Sequence, residues 1–216
     1  MASLPIPRHR PPDEIAALLA ARRRNEIEAP HLPRAAVLAL LYERAGDDHV
    51  VLTVRSHQVD HHKGQISFVG GVLDPEDSSL QTTALRESAE EIGIDASQVT
   101  ILGRLDDLIT VSNFLVTPFV GRISYPFRYA ISNVEVAQLL EVPVPDLLAP
   151  GCFSAAPRPI PQEGRLTPGV SYEWRGHVIW GATGGMLQQL LEVAYVLGTA
   201  PRIRAASVSE RTRTAP

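Results

Sequence analysis

Cysteine is nearly absent. Cys152 is the one thiol in 216 residues, so no intrachain disulfide can close, and a reducing compartment fits that count. A surplus of positive charge is also missing. The formal charge is −4 and the pI is near 6.0, so nothing advertises nucleic-acid or membrane-surface binding. Long apolar runs are lacking too. Stretches such as Ala35–Tyr42 fall far short of the roughly 18–20 residues of a membrane span. The opening MASLPIPRHRPPDE has no apolar core of a secretory signal. No internal repeat and no interdomain linker stand out. The expectation is a soluble, cytoplasmic protein.

What is present suffices for a core. Hydrophobic residues make up 44% of the chain and charged residues 20%, which excludes a mainly disordered protein. The 18 prolines exceed the usual ~5% share, so loops and turns are plentiful. Residues 1–12 read as an irregular arm, followed by a helix from Asp13, its expected cap, to about Arg24. Ala35–Tyr42 and His49–Arg55 read as a hairpin around AGDD. Val99–Thr110, Phe114–Ile123 and Val134–Val142 read as strands, and Pro143–Leu148 as a short helix or turn. The segment 150–169 reads as a Pro-rich loop. Ser171–Trp180 reads as a hairpin around Gly176, and Ala182–Leu197 as a helix with Leu187, Leu190, Leu191 and Ala194 inward. The pattern is α/β of the α+β kind. It divides into an arm and helix (1–32), one catalytic-sized domain (33–198) and a polar, Arg-bearing tail (199–216).

The informative stretch is GGVLDPEDSSLQTTALRESAEEIGID, residues 70–95. Ser78-x-x-Gln81 fits a capping box and Gly93 fits a helix stop, so a helix is expected over 79–92. At 100° per residue, Ala84, Leu85, Ser88, Ala89 and Ile92 share one side. Glu87, Glu90 and Glu91 crowd on the other, with Arg86 at its edge, i+4 from Glu90. A solvated acidic face would tolerate this, since each like-charge neighbour costs only about 0.2–0.5 kcal/mol. A divalent-cation site would require it, because Mg²⁺ takes oxygen ligands.

Gly71 followed by Arg86-Glu87-Ser88-Ala89-Glu90-Glu91-Ile92-Gly93-Ile94 resembles the signature of Nudix hydrolases. The resemblance implies a mixed β-sheet sandwiched between helices, and cleavage of a nucleoside diphosphate linked to another moiety. It implies Mg²⁺ or Mn²⁺ held by Glu87, Glu90, Glu91 and the Gly71 carbonyl, with Arg86 orienting the acids. Glu135 is a candidate further ligand or base. Two positions depart from the family pattern. Ser78 stands where a Glu eight residues before Arg86 is usual, leaving Asp77 or Glu76 to replace it, and Ser88 replaces an aliphatic residue.

Upstream, LTVRSHQVDHHKGQISFVGG (52–71) is similar to the extra signature of the coenzyme A pyrophosphatase branch. Arg55, Ser56, His62, Gly64, Gln65, Ser67, Phe68, Gly70 and Gly71 match, while Asp60 replaces an Arg and Val69 a Pro. Losing that Arg removes a fixed bidentate donor. FLVTPFVGRI (114–123) and HVIWGATGGML (177–187) also resemble this branch. The resemblance implies that Arg55, Ser56, His62, Gly64, Gln65, Phe68 and Gly70 contact the substrate, with Phe68 and Trp180 also readable as core. It implies a small-molecule nucleotide partner, CoA or acyl-CoA, for a monomer or homodimer that uses neither nucleic acid nor membrane. Hydrolysis of ADP-ribose or a nucleoside triphosphate is the alternative within the family, and a non-catalytic nucleotide-binding module the alternative outside catalysis.

Overall fold

The protein is described as a computed structural model. It describes residues 7–58, 63–156 and 169–196, together with the backbone of 158–159 and 166–167. His62 and Asp60, and most of 157–168, lie outside the described residues, as does the tail expected from 199.

The chain opens with helix α1 (Pro12–Ala21). Its cap position is Pro11 rather than Asp13. Pro12 starts the helix because a first-turn amide has no partner to lose, and Asp13 faces the positive helix end instead. The helix stops short of Arg24. Beyond Ala21 the chain is extended, and Arg22 and Arg24 pair with Asp106 and Asp107 at 2.7 and 2.9 Å.

Strands β1 (Arg34–Arg44) and β2 (Asp47–Arg55) form an antiparallel hairpin. The turn is Ala45-Gly46, both at positive φ (55° and 84°), so Asp47 and Asp48 belong to the strand and not to the turn. Two short strands follow, β3 (Ile66–Ser67) on β2 and β4 (Val69–Val72) on β1. Helix α2 (Leu80–Ile92) comes next. The expected long strand from Val99 is split into β5 (Thr100–Arg104) and β6 (Leu108–Ile109). Between them Asp106 and Asp107 turn aside to serve the Arg22–Ile27 segment.

Strand β7 (Leu115–Arg122) lies parallel to β1 and carries β5 and β6 antiparallel. Strand β8 (Val136–Pro143) pairs with β2, and the single-turn helix α3 (Val144–Leu147) follows it. The segment read as a plain loop holds β9 (Phe153–Ser154) and a small ladder of β10 (Arg158–Pro159) with β11 (Leu166–Thr167). Strands β12 (Ser171–Trp174) and β13 (His177–Trp180) make the expected hairpin, and β9 joins β12. Helix α4 (Gly181–Ala194) ends the described chain.

The large sheet has the order β3-β2-β1-β7-β5, with β4, β6 and β8 attached to β1, β7 and β2. Strand β1 is nearly all apolar because both its faces are covered. Ala36, Leu38, Leu40 and Tyr42 meet Ala84 and Ile92 of α2, whereas Ala35, Ala39 and Leu41 face the core shared with Ile15 and Leu19 of α1 and Leu187, Leu190 and Leu191 of α4. The expected inward face of α4 is buried as read. Cys152 is buried and free. No helix among the described residues is long and apolar enough to cross a membrane.

One buried charge joins segments far apart in sequence. Asp48, fully buried on β2, accepts from the Arg10 amide (2.9 Å) and the Tyr195 hydroxyl (2.7 Å). It also pairs with Arg122 (2.8 Å) and His9 Nδ1 (2.8 Å). Burial and the Asp48 charge push the Tyr195 hydroxyl far above its ordinary pKa, so it stays a donor.

Candidate active site

Helix α2 is set by its ends. Ser79, not Ser78, is the cap, and its Oγ accepts from the Thr82 amide at 3.1 Å. With Ser79 as the cap, Thr82 and not Gln81 takes the third helical position, so the expected capping box does not form; Ser78 instead meets the Thr82 hydroxyl at 2.9 Å. Gly93 closes the helix at φ 66°, its amide on the Ala89 carbonyl. The following loop satisfies the last carbonyls: Ser132 N–H donates to Glu91 O (2.8 Å) and Ala130 N–H to Ile92 O (2.9 Å).

The three glutamates do not share one solvated face. Thr83, Ala84, Ser88, Glu91 and Ile92 are buried, while Ala89 is exposed. The side that packs on the sheet is therefore rotated toward Glu91. A wheel that sends every polar residue outward misplaces Glu91, whose surroundings are built to receive it. The Glu90 side chain is 55% exposed and Glu87 15%, whereas Glu91 as a residue is 4% exposed. Ser88 occupies its aliphatic position without an orphan hydroxyl, because its Oγ donates to the Ala84 carbonyl at 2.6 Å.

Arg86 organises the acids. It meets Glu87 at 3.0 Å and Glu90 at 2.9 Å. It also grips Asp77 with Nε and Nη2, the latter at 3.0 Å. The alternatives Asp77 and Glu76 are thereby separated: Asp77 faces Arg86, and Glu76 donates its amide to Asp74 in the preceding turn. The Arg86 guanidinium holds the Asp77 carboxyl down at about 2.

Strand β4 brings its glycines beside the carboxylates. A Cβ at Gly71 would collide with the Glu87 carboxylate, and one at Gly70 with the backbone of Ala36 and Val37 in β1. The Gly70 amide favours the charged form of the Glu91 carboxylate. The Glu91 Oε2 atom is nevertheless buried, with no partner among the described residues. Burial pushes the Glu91 carboxyl up to about 8, Arg55 opposes the rise, and the charges of Glu87 and Glu135 add to it. Glu87 is also raised, chiefly by burial, against the pull of Arg86. Glu135 reaches this group because its carbonyl accepts from the Ser56 amide at 2.8 Å and its amide donates to Ser132.

Arg55 brings its charge to bear on Glu91. Its Nε is buried, with no partner among the described residues. Its amide donates to Gln65 O (2.9 Å) and its carbonyl accepts from Gly64 N–H (3.0 Å), so Gly64 and Gln65 lie beside it. Ser56 is buried, with Oγ accepting from the Gln58 amide at 3.1 Å, a turn-forming role. Phe68 is not at the surface of the site. It is 2% exposed and packs in the core with Ile66, Leu140 and Met186, because its strand turns that face away from α2. Trp180 is half-buried at the entrance to α4. Among the described residues, no three Asp, Glu, His or Cys side chains lie close enough to form a complete cation cage. The donor set still fits a hard dication in charge and chemistry: clustered carboxylates, one with a buried oxygen lacking any donor, beside a backbone stripped of Cβ atoms. Sequence reasoning missed the influence of the Gly70 amide on Glu91, since side-chain patterns carry no signal for a backbone group.

Residues 32–146 match the family model of the NUDIX domain. The uncharacterized Nudix hydrolase NudL of Photorhabdus laumondii is 35% identical over 147 residues, covering 68% of this chain and 78% of that relative. The uncharacterized Nudix hydrolase NudL of Citrobacter koseri is 37% identical over 158 residues, covering 73% of this chain and 80% of that relative. The chain belongs to the Nudix hydrolase family, and its mixed sheet between helices is the Nudix fold. The crystal structure of the Nudix hydrolase RenU from M. smegmatis aligns with a TM-score of 0.46 at 21% identity, over 54% of this chain and 73% of that one.

Proposed function

We propose that this Nudix protein hydrolyses the diphosphate of coenzyme A or acyl-CoA, giving 3',5'-adenosine bisphosphate and (acyl-)4'-phosphopantetheine. Nudix hydrolases generally use divalent metal ions such as Mg²⁺ or Mn²⁺. The observation that carries the reading is the buried oxygen of Glu91, without a donor among the described residues, amid Glu87 and Glu135 and beside Gly70-Gly71. Such a concentration of negative charge is unfavourable without a cation. Glu87, Glu91 and the Gly71 carbonyl would hold the ion, with Glu90 at the rim.

A dication held there would supply charge neutralisation for the diphosphate and acidification of the attacking water. The chain's own residues do the rest. Arg86, locked by Asp77, fixes Glu87 and Glu90. Arg55 offers its guanidinium to a phosphate oxygen, with Gly64 and Gln65 beside it, and His62 is a further candidate contact by its sequence position alone. Water oxygen attacks one phosphorus, and the bridging P–O bond breaks. The water proton passes to a carboxylate of the set Glu87, Glu90, Glu91 and Glu135. No serine or cysteine nucleophile is required, and buried Cys152 takes no part. The remaining barrier is lowered by positioning and electrostatics.

A second reading has a specific basis. Asp60 and Val69 depart from the CoA-branch pattern, and ADP-ribose or a nucleoside triphosphate would then be the substrate. The test is product analysis. Purified protein is incubated with Mg²⁺ or Mn²⁺ and, separately, CoA, an acyl-CoA, ADP-ribose and nucleoside triphosphates. Release of 3',5'-adenosine bisphosphate with 4'-phosphopantetheine is expected. ADP-ribose turnover far above CoA turnover reverses the choice, and binding without cleavage of any of them makes the chain a non-catalytic module.

A further inference from the structure

The start of α4 lies far from the acids in sequence, yet it reaches the strand that leads to them. Thr183 is buried, and its Oγ1 donates to the Ile66 carbonyl at 2.9 Å across 117 residues. Strand β3 has only two residues, and its inner edge belongs to β2: Arg55 N–H donates to Gln65 O, and Val54 faces Ile66. Successive carbonyls of a strand point to opposite edges. The Ile66 carbonyl therefore points away from β2, where Thr183 receives it. Thr53 Oγ1 holds the next carbonyl, Ser67 O, at 3.3 Å.

The seat of α4 is tight. A Cβ at Gly184 would press on the Val170 carbonyl. The hydroxyl at 183 thus comes from a helix that cannot slide without opening its own packing. The segment it holds runs from Gln65, the backbone partner of Arg55, into β4, whose Gly71 lies against the Glu87 carboxylate.

We propose that Thr183 is a positioning residue for the active site: by pinning the Ile66 carbonyl it fixes the segment whose Gln65 carbonyl holds the Arg55 amide, and so holds Arg55 in place for the substrate. This rests on the diphosphatase reading given above. Replacing the hydroxyl with a methyl of the same shape keeps the packing and removes the pin.

The experiment compares wild type, Thr183→Val and Thr183→Ser. It measures steady-state kinetics on whichever diphosphate the wild type cleaves, and amide hydrogen exchange at Gly64 and Arg55. Thr183→Val is expected to lower kcat/KM about ten- to a hundredfold, mostly through KM. Exchange at Gly64 and Arg55 should quicken, and Thr183→Ser should restore both readouts. An unchanged KM in Thr183→Val overturns the proposal, as does a fall in kcat alone that follows the folded fraction. A Thr183→Ser variant no better than Thr183→Val overturns it too. If the wild type cleaves no diphosphate, the diphosphatase reading fails by itself. Exchange then decides the pin: unchanged protection at Gly64 and Arg55 in Thr183→Val removes it.

Discussion

Glu91 makes the sharpest prediction, because the metal-free protein should suffer from it. Its carboxyl titrates near 8 when folded, against an ordinary value of 4.5. Below pH 4.5 it is protonated in folded and unfolded chains alike, and its stability contribution is complete. Above that pH the unfolded chain sheds the proton first, so stability falls until the pH passes about 8. One pH unit within the window is worth about 1.4 kcal/mol, so pH 5 to pH 7 removes about 3 kcal/mol. For a chain of this size that lowers Tm by about 6–12 °C. Glu91→Gln has no proton to lose and escapes the decline. The assay is thermal unfolding of both proteins in chelator across pH 5–8, repeated with Mg²⁺ or Mn²⁺. Relative to wild type, the metal-free variant should gain stability steadily as pH rises. The dication should rescue wild type and leave the variant unmoved, while turnover of the variant falls by orders of magnitude. Parallel Tm curves for the two proteins would refute the burial reasoning, and near-normal turnover would refute the assignment of Glu91 to the reaction.

Three further outcomes are expected. Asp77→Asn should loosen Arg86 and lower kcat; the Asp77 contribution to stability, complete above its ordinary value of 3.8 and lost as pH falls through about 2, should vanish from acid-unfolding curves. Gly71→Ala should displace the Glu87 carboxylate and weaken the Mn²⁺-induced rise in Tm, read by titrating the metal. Leu190→Ala, at a fully buried α4 position, should cost about 2–5 kcal/mol in denaturant unfolding without changing KM in the folded fraction.

Much of the architecture is legible because it follows from periodicity. The apolar run of β1, the inward stripe of α4 and the glycine stop of α2 each follow from a local rule. The misreadings share a cause as well. Asp13, Ser78 and the AGDD turn were assigned by residue type, whereas Pro12, Ser79 and the Ala45-Gly46 pair occupy those places in the backbone. The split between β5 and β6 depends on Arg22 and Arg24, more than 80 residues away along the chain. At the site, spacing identified Arg86 and its glutamates. It could not tell that Glu91 turns inward or that Phe68 belongs to the core, because both depend on which side of the sheet α2 covers.

The Asp48 knot bears on where this protein begins and ends as a physical object. The stretch that matches the family runs over 32–146. Yet the ion inside β2 draws its donors from Arg10 before that stretch and Tyr195 after it, as well as from Arg122 within it. Trimming the polypeptide to its family-matched stretch would strand a desolvated anion with part of its shell, a loss of about 3–5 kcal/mol when a buried pair is broken. Kinship in sequence thus marks out a shorter stretch than the one whose side chains enclose this anion.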